Sequence, residues 1–314
     1  MKKVVSVVLS VLVLTMIFSF MPVQAEADEP YVIWVNPLVG SAVFTEADKG
    51  ITVAAEEFGF KLKIIGPSVL DDTQMLQSIE NAIVERPDVI VTTPYNFTAI
   101  EQSYVRAAEL GIPIINVSSD SPEGTRVSFI GTDNTTYGQL AAEYINEKMN
   151  GEANVLIMMG NLDTSNQLEQ KNAFEAKIAA EFPGIKVIIT EEDNVDAVLA
   201  MQKFQDILKT HPEINLIFCL EGVGGPAAAV VLKEMGRVGE VTILAIDDYD
   251  EVLQYIRDGD IWATMAQNFY KMGYMAGKLA VDHLNGESVP SVVDSGTVLI
   301  TVDNVDTYAE EFYK

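Results

Sequence analysis

Residues 241–267 read VTILAIDDYDEVLQYIRDGDIWATMAQ. Val241 to Ile246 is an apolar run of strand length, and Asp247-Asp248 is a polar turn. Val252, Leu253 and Ile256 then share one face of a helix, and Ile261 opens a second strand that ends at Gln267. The same unit recurs along the chain. Strands are expected to begin near Tyr31, Lys61, Asp88 and Ile112, then near Ala153, Ile185, Asn215, Val241 and Ile261. Most are about 25–30 residues apart, one β-α step. VIVTT, VLIMM, VIIT and LIFCL are apolar on both faces, as parallel strands covered by helices must be. Helical runs carry their own stop signals. Phe44, Ala47, Ile51, Ala55 and Phe58 form one stripe before Gly59. Ala99 to Leu110 stops at Gly111, and Asn172 to Phe182 at Pro183-Gly184. Val195 to Lys209 stops before His211-Pro212, and Met272 to Leu284 at Asn285-Gly286. The expected class is α/β, and the length suits two doubly wound parallel-sheet lobes better than one.

The amino end, MKKVVSVVLSVLVLTMIFSFMPVQA (1–25), reads as a secretory signal. Lys2 and Lys3 precede an apolar core, and Val23-Gln24-Ala25 is a small-x-small cleavage site. The competing reading is an uncut anchor, but the core has roughly 17 residues against about 20 for a comfortable span. No cysteine lies near the cut, which excludes the usual bacterial lipid anchor. A periplasmic or extracellular location follows, with no ready supply of ATP or NAD. The 314-residue chain has 20 Lys+Arg and 46 Asp+Glu; without the two leader lysines the net charge is −28. Such a surface repels phosphate backbones, so nucleic acid is not an expected partner. At 48% hydrophobic residues the chain is no candidate for disorder. Cys219 is the only cysteine, so no internal disulfide forms, and its apolar run points to a buried, inert thiol.

In open parallel sheets ligands bind beyond the carboxyl ends of the strands. Those ends supply Asn36, Thr93, Tyr95, Ser118, Asp120, Asn166, Gln167, Glu221, Asp247 and Gln267. Asn161, Asp163 and Asp193 lie at the same level. Amides, hydroxyls and carboxylates suit a ligand rich in hydroxyls. The same residue types cap helices, and at each position both roles stay open. One of Asp247 and Asp248 is expected to cap the helix that follows. Gln267 is less ambiguous, because glutamine is a poor cap. Gly222-Val223-Gly224-Gly225-Pro226-Ala227 fits a dinucleotide fingerprint, but Pro226 suits a first helical turn and the unit lies deep inside a repeated array. No catalytic triad, HExxH, P-loop or EF-hand-like spacing occurs, so neither catalytic residues, a metal site nor a cofactor is expected. None of the five arginines, at 86, 106, 126, 237 and 257, falls at a strand's carboxyl end, which points to an uncharged ligand.

The segments LVGSAVFTEADKGITVAAEEFG, RPDVIVTTPYNFTAI, ELGIPIINVSSDSP, FIGTDNTTYGQLAAEYI, LKTHPEINLIF and ILAIDDYDEVLQYIRDGDIWATMAQNFYKMGYMAGKLAVDHLNG occur in one order. In that order they resemble the periplasmic sugar-binding proteins of ABC transporters, ribose/galactose type, from Tyr31 to about Tyr308. The resemblance implies the type I periplasmic-binding-protein fold, two lobes joined by a three-segment hinge. It would place 31–133 and 268–296 in an N-terminal lobe and 134–267 and 297–314 in a C-terminal lobe. Crossings would fall near Asp133-Asn134, Gln267-Asn268 and Gly296-Thr297. Asp247, Gln267 and Glu221 match ligand contacts of the family, and Phe44 its aromatic at the first helix. Three departures stand out. Ser118 replaces an aspartate, LEQKNAF lacks an arginine, and PLVGSAVF with residues 225–229 resembles the branch that binds autoinducer-2 or rhamnose. In that branch an Asp-Gln pair corresponds to Asn166-Gln167. The implied function is capture of a small neutral sugar or polyol by a monomer, without chemistry, for delivery to an ABC permease, with a chemoreceptor as a further partner. The alternatives are a quorum-signal binder, a sugar-responsive regulator, which would need a DNA-binding amino end and a basic surface, and an exported carbohydrate hydrolase.

Overall fold

The structure, a computed structural model, describes residues 29–312; the leader expected at 1–25 lies outside the described residues. One sheet contains β1 (Tyr31–Val35), β2 (Lys61–Ile65), β3 (Val89–Thr92), β4 (Ile114–Val117), β5 (Ser128–Gly131) and β11 (Val292–Asp294). Its order is β11-β5-β4-β3-β1-β2 and every pairing is parallel. The other contains β6 (Ala153–Met159), β7 (Ile185–Glu192), β8 (Leu216–Cys219), β9 (Thr242–Ile246), β10 (Ala263–Gln267) and β12 (Thr297–Thr301), in the order β12-β10-β9-β8-β6-β7. There only β12 runs antiparallel, against β10.

Helices cover both faces of each sheet, so the strands bury alternate residues in opposite directions. In β1, Val32 and Trp34 face α1 (Ala42–Phe58) and α9 (Phe269–Leu284). Ile33 and Val35 face α2 (Asp72–Val84) and α3 (Phe97–Glu109). In β8, Leu216 and Phe218 join the cluster under α4 (Asn134–Lys148) and α5 (Ser165–Glu181). Ile217 and Cys219 join the cluster of α6 (Ala197–Thr210), α7 (Gly224–Met235) and α8 (Asp250–Asp258). A last short helix, α10 (Tyr308–Phe312), packs on the same side. Trp34 is 1% exposed and Cys219 fully buried, as their apolar surroundings require.

The chain passes between the sheets three times. It leaves β5 through Thr132-Asp133 into α4, leaves β10 through Asn268 into α9, and leaves β11 through Ser295-Gly296 into β12. Two of these passages are laced together. Asp294 Oδ1 accepts from the amides of Asp133 (3.2 Å) and Gly296 (2.9 Å), and the Ser295 amide donates to the Gly131 carbonyl at 2.8 Å. Asn268 caps α9 through the Lys271 amide (2.8 Å) and donates its own amide to the Phe312 carbonyl. Among the described residues no helix is long and apolar enough to cross a membrane.

Candidate functional site

The parallel strands of both sheets bring their carboxyl ends toward the gap between the lobes. A cleft of about 370 Å³ lies there, inside the ~300–1,000 Å³ range of small-molecule sites. Ser118, Asp120 and Phe129 line it from one lobe, Asn134, Asn166 and Glu169 from the other. Of the expected site residues, it thus unites Ser118, Asp120 and Asn166. Ser118 reaches its position with φ +66, a left-handed conformation uncommon outside glycine and asparagine.

Asp247 and Gln267 form a second nucleus on neighbouring strands. Gln267 donates from Nε2 to Asp247 Oδ1 at 3.0 Å. Asp247 is 8% exposed and has φ +60. Its amide donates to the Met265 carbonyl (3.1 Å) and its carbonyl accepts from Thr264 Oγ1 (2.6 Å). Burial pushes its carboxyl group up to about 7; the Gln267 hydrogen bond works against that shift and the Asp248 charge adds to it. Neither aspartate caps α8, whose N-cap is Tyr249 without a side-chain bond; Asp248 instead accepts from the Tyr308 hydroxyl at 2.8 Å. Tyr249 packs against apolar clusters of both lobes.

Several expected site side chains are already engaged. Asn36, fully buried, donates to Asp48 Oδ1 (2.9 Å) and accepts from the Leu38 amide (2.8 Å). Asp48 also accepts from Trp34 Nε1 at 2.7 Å. Asp120 is gripped by the Arg126 fork, with Nε to Oδ1 and Nη2 to Oδ2 both at 2.6 Å. Arg126, although it precedes a strand, thus binds a residue that lines the cleft. Glu221 caps α7, accepting from the amides of Val223 (2.7 Å) and Gly224 (2.5 Å). Gln167 Oε1 accepts from the Gly160 amide at 2.8 Å. Phe44 meets Phe269 edge-on, with centroids 5.3 Å apart. Tyr95 stays exposed at the rim, its phenol pushed up to about 12 by burial first and by Asp72 second. Thr93 is buried and its Oγ1 has no hydrogen-bond partner. Among the described residues no cluster of His, Cys, Asp or Glu has the makings of a metal site.

A family model described as a periplasmic binding protein domain matches residues 32–288. The ribose import binding protein of Bacillus subtilis is 24% identical over 258 residues, 82% of this chain and 83% of that protein. Among solved structures, a glucose-galactose binding protein from Geobacillus stearothermophilus superposes with TM-score 0.84 at 27% identity, covering 89% of this chain and all of that one. An ABC transporter solute-binding protein from Burkholderia graminis, in complex with D-arabinose, gives TM-score 0.83 at 30% identity, covering 90% and 99%.

Proposed function

The chain belongs to the periplasmic binding protein domain family, and from that premise we propose that it captures a small neutral sugar and delivers it to the permease of an ABC importer. The observation that carries the reading is the Asp247–Gln267 pair at the ends of β9 and β10. A carboxyl group held by one amide keeps a second oxygen for a sugar hydroxyl, while the glutamine retains an N–H and a carbonyl. Relatives bear names for ribose, allose and xylitol binding, and none of the three is an anion. Arg126, which grips the cleft-lining Asp120, is occupied by it. Burying an anion beside Asp247 and Glu221 would be costly. The protein acts as a monomer, exported to the periplasm or the cell exterior, with no cofactor and no chemistry on its ligand. A chemoreceptor is a second partner for the same loaded form.

A calorimetric panel of D-ribose, D-allose, D-arabinose, D-galactose and xylitol tests this, set beside the matching sugar acids and phosphates. One neutral member should bind, and its charged counterparts should bind about 100-fold more weakly, a difference of about 2.7 kcal/mol. A uronate or sugar phosphate as the tightest ligand would overturn the reading.

A further inference from the structure

Asp193 and Glu221 form a buried acid pair that sugar binding by itself does not call for. They follow β7 and β8, which flank β6. The Asp193 amide donates to the Met159 carbonyl at the end of β6 (3.0 Å) and the Asn194 amide to the carbonyl of Gly160 just after it (2.8 Å), which brings the Asp193 side chain within hydrogen-bond reach of Glu221. A Cβ on Gly160 would stand 3.5 Å from Glu221 Cβ and 3.4 Å from Gln167 Nε2. Asp193 has no exposed surface. Its Oδ1 accepts from the Val195 amide at 2.9 Å, and its buried Oδ2 receives no hydrogen bond. Both Glu221 oxygens already accept backbone amides. Two carboxylates thus face each other out of water, and one oxygen has no donor. One proton on either of them supplies that donor and removes one of two like charges.

Among the described residues no titratable neighbour donates to that oxygen. Lys203 on α6, whose charge reaches Asp193, is bound to Glu191 at 2.7 Å. The Cys219 thiol on β8 is pushed up by burial and then by these two acids. The Tyr249 phenol is raised by burial and then by Asp247, Glu221 and Asp248. Tyr137 on α4 faces Asp247 and Cys219.

We propose that Asp193 is a positioning residue of the cleft: it shares one proton with Glu221, and that proton holds the Glu221 carboxyl group on the α7 N-terminus and ties ligand capture to pH. Loss of the proton sets two charges against each other. Glu221 then leaves the Val223 and Gly224 amides and turns toward the ligand space. Burial first and Asp193 second push Glu221 up to about 8, so the change falls just above neutrality. The idea rests on the sugar reading only for its effect on capture.

Carbon-13 carboxyl spectra of the ligand-free protein test the proton directly, with Asp193→Asn and Glu221→Gln for assignment. In the wild type one carboxyl group of the pair should stay protonated at neutral pH and titrate near 8. In Asp193→Asn the amide is a permanent donor, and Glu221 should be ionised well below neutrality. Should that variant not fold, Asp193 in Glu221→Gln should ionise early in the same way. Two ionised carboxylates at neutral pH in the wild type overturn the proposal, whatever the protein binds. A second arm follows, by calorimetry, the affinity for whichever of D-ribose, D-arabinose or D-galactose binds. It should weaken by up to about tenfold per pH unit above the midpoint. Asp193→Asn should flatten that slope, leaving only the share due to Asp247. Identical slopes in the two proteins overturn the positioning role. If none of the three binds, D-allose and xylitol take their place; if all five fail, the sugar reading fails and the spectra alone decide the proton.

Discussion

At Asp247 a left-handed backbone and a buried carboxyl group coincide. Aspartate is among the few residues that tolerate φ near +60°, and at that turn Gln267 holds one of its carboxyl oxygens. Asp247→Ala should weaken sugar binding by about 1.5–3 kcal/mol, roughly 10–150-fold, as read by calorimetry. The same residue makes stability depend on pH. Its folded pKa of about 7 lies above the unfolded value, so its contribution is complete at low pH and is lost as pH rises through 7. Asp247→Asn should therefore melt with a flatter pH profile than the wild type between about pH 4 and 7; an unchanged profile would mean that this carboxyl group titrates normally. The strand-end places of Asp247 and Gln267 were legible in the sequence, because apolar runs of strand length stop just before or at them. The commitments of Asn36 to Asp48 and of Asp120 to Arg126 were not. They depend on how helix α1 and the β4–β5 loop fold back, and no local pattern encodes that. The partnership of Asp193 with Glu221 lay further still out of reach, since it spans strands that do not even pair.

Among the elements, two helix pairs are held at very close range. A Cβ on Gly273 of α9 would lie 2.0 Å from the Ala47 carbonyl oxygen of α1, and one on Gly50 as close to the Tyr270 carbonyl. The other lobe repeats the arrangement: a Cβ on Gly138 of α4 would lie 2.2 Å from the Gln170 carbonyl oxygen of α5. Gly273→Ala must push two backbones apart and should cost about 1–3 kcal/mol in urea unfolding. Gly259→Ala, at φ +80 with open space around it, bears only the left-handed penalty of about 1–2 kcal/mol. Equal midpoints for Gly273→Ala and wild type would show that the helices can separate freely. The β-α alternation, and the helix stops at Gly59, Gly111 and Asn285, could be read from sequence. Helix α5 begins at Ser165, seven residues before the expected start, because its first two turns are polar and partly exposed. Strands β5, β11 and β12 carried no usable signal. They are three to five residues long, and each becomes a strand only by pairing with an edge the rest of the fold provides.

For the whole molecule, three short passages between two rigid sheets define the expected motion. A sugar that touches both lobes favours the closed arrangement by its difference in affinity for the two states. At about 100-fold excess over Kd it should stabilise the protein by about 2.7 kcal/mol. Small-angle scattering should then show compaction along with the rise in melting temperature; a rise without compaction would leave binding intact and remove the hinge. The order in which the passages occur along the chain matters in another way. Helix α9 and strand β11, which complete the first sheet's packing, follow the entire run of the second lobe from α4 to β10. A ribosome or an export channel that releases the chain amino end first therefore releases a first lobe without one of its covering helices. That lobe stays open to chaperones until nearly all of the polypeptide has emerged, whereas the second lobe, contiguous apart from β12 and α10, can settle earlier.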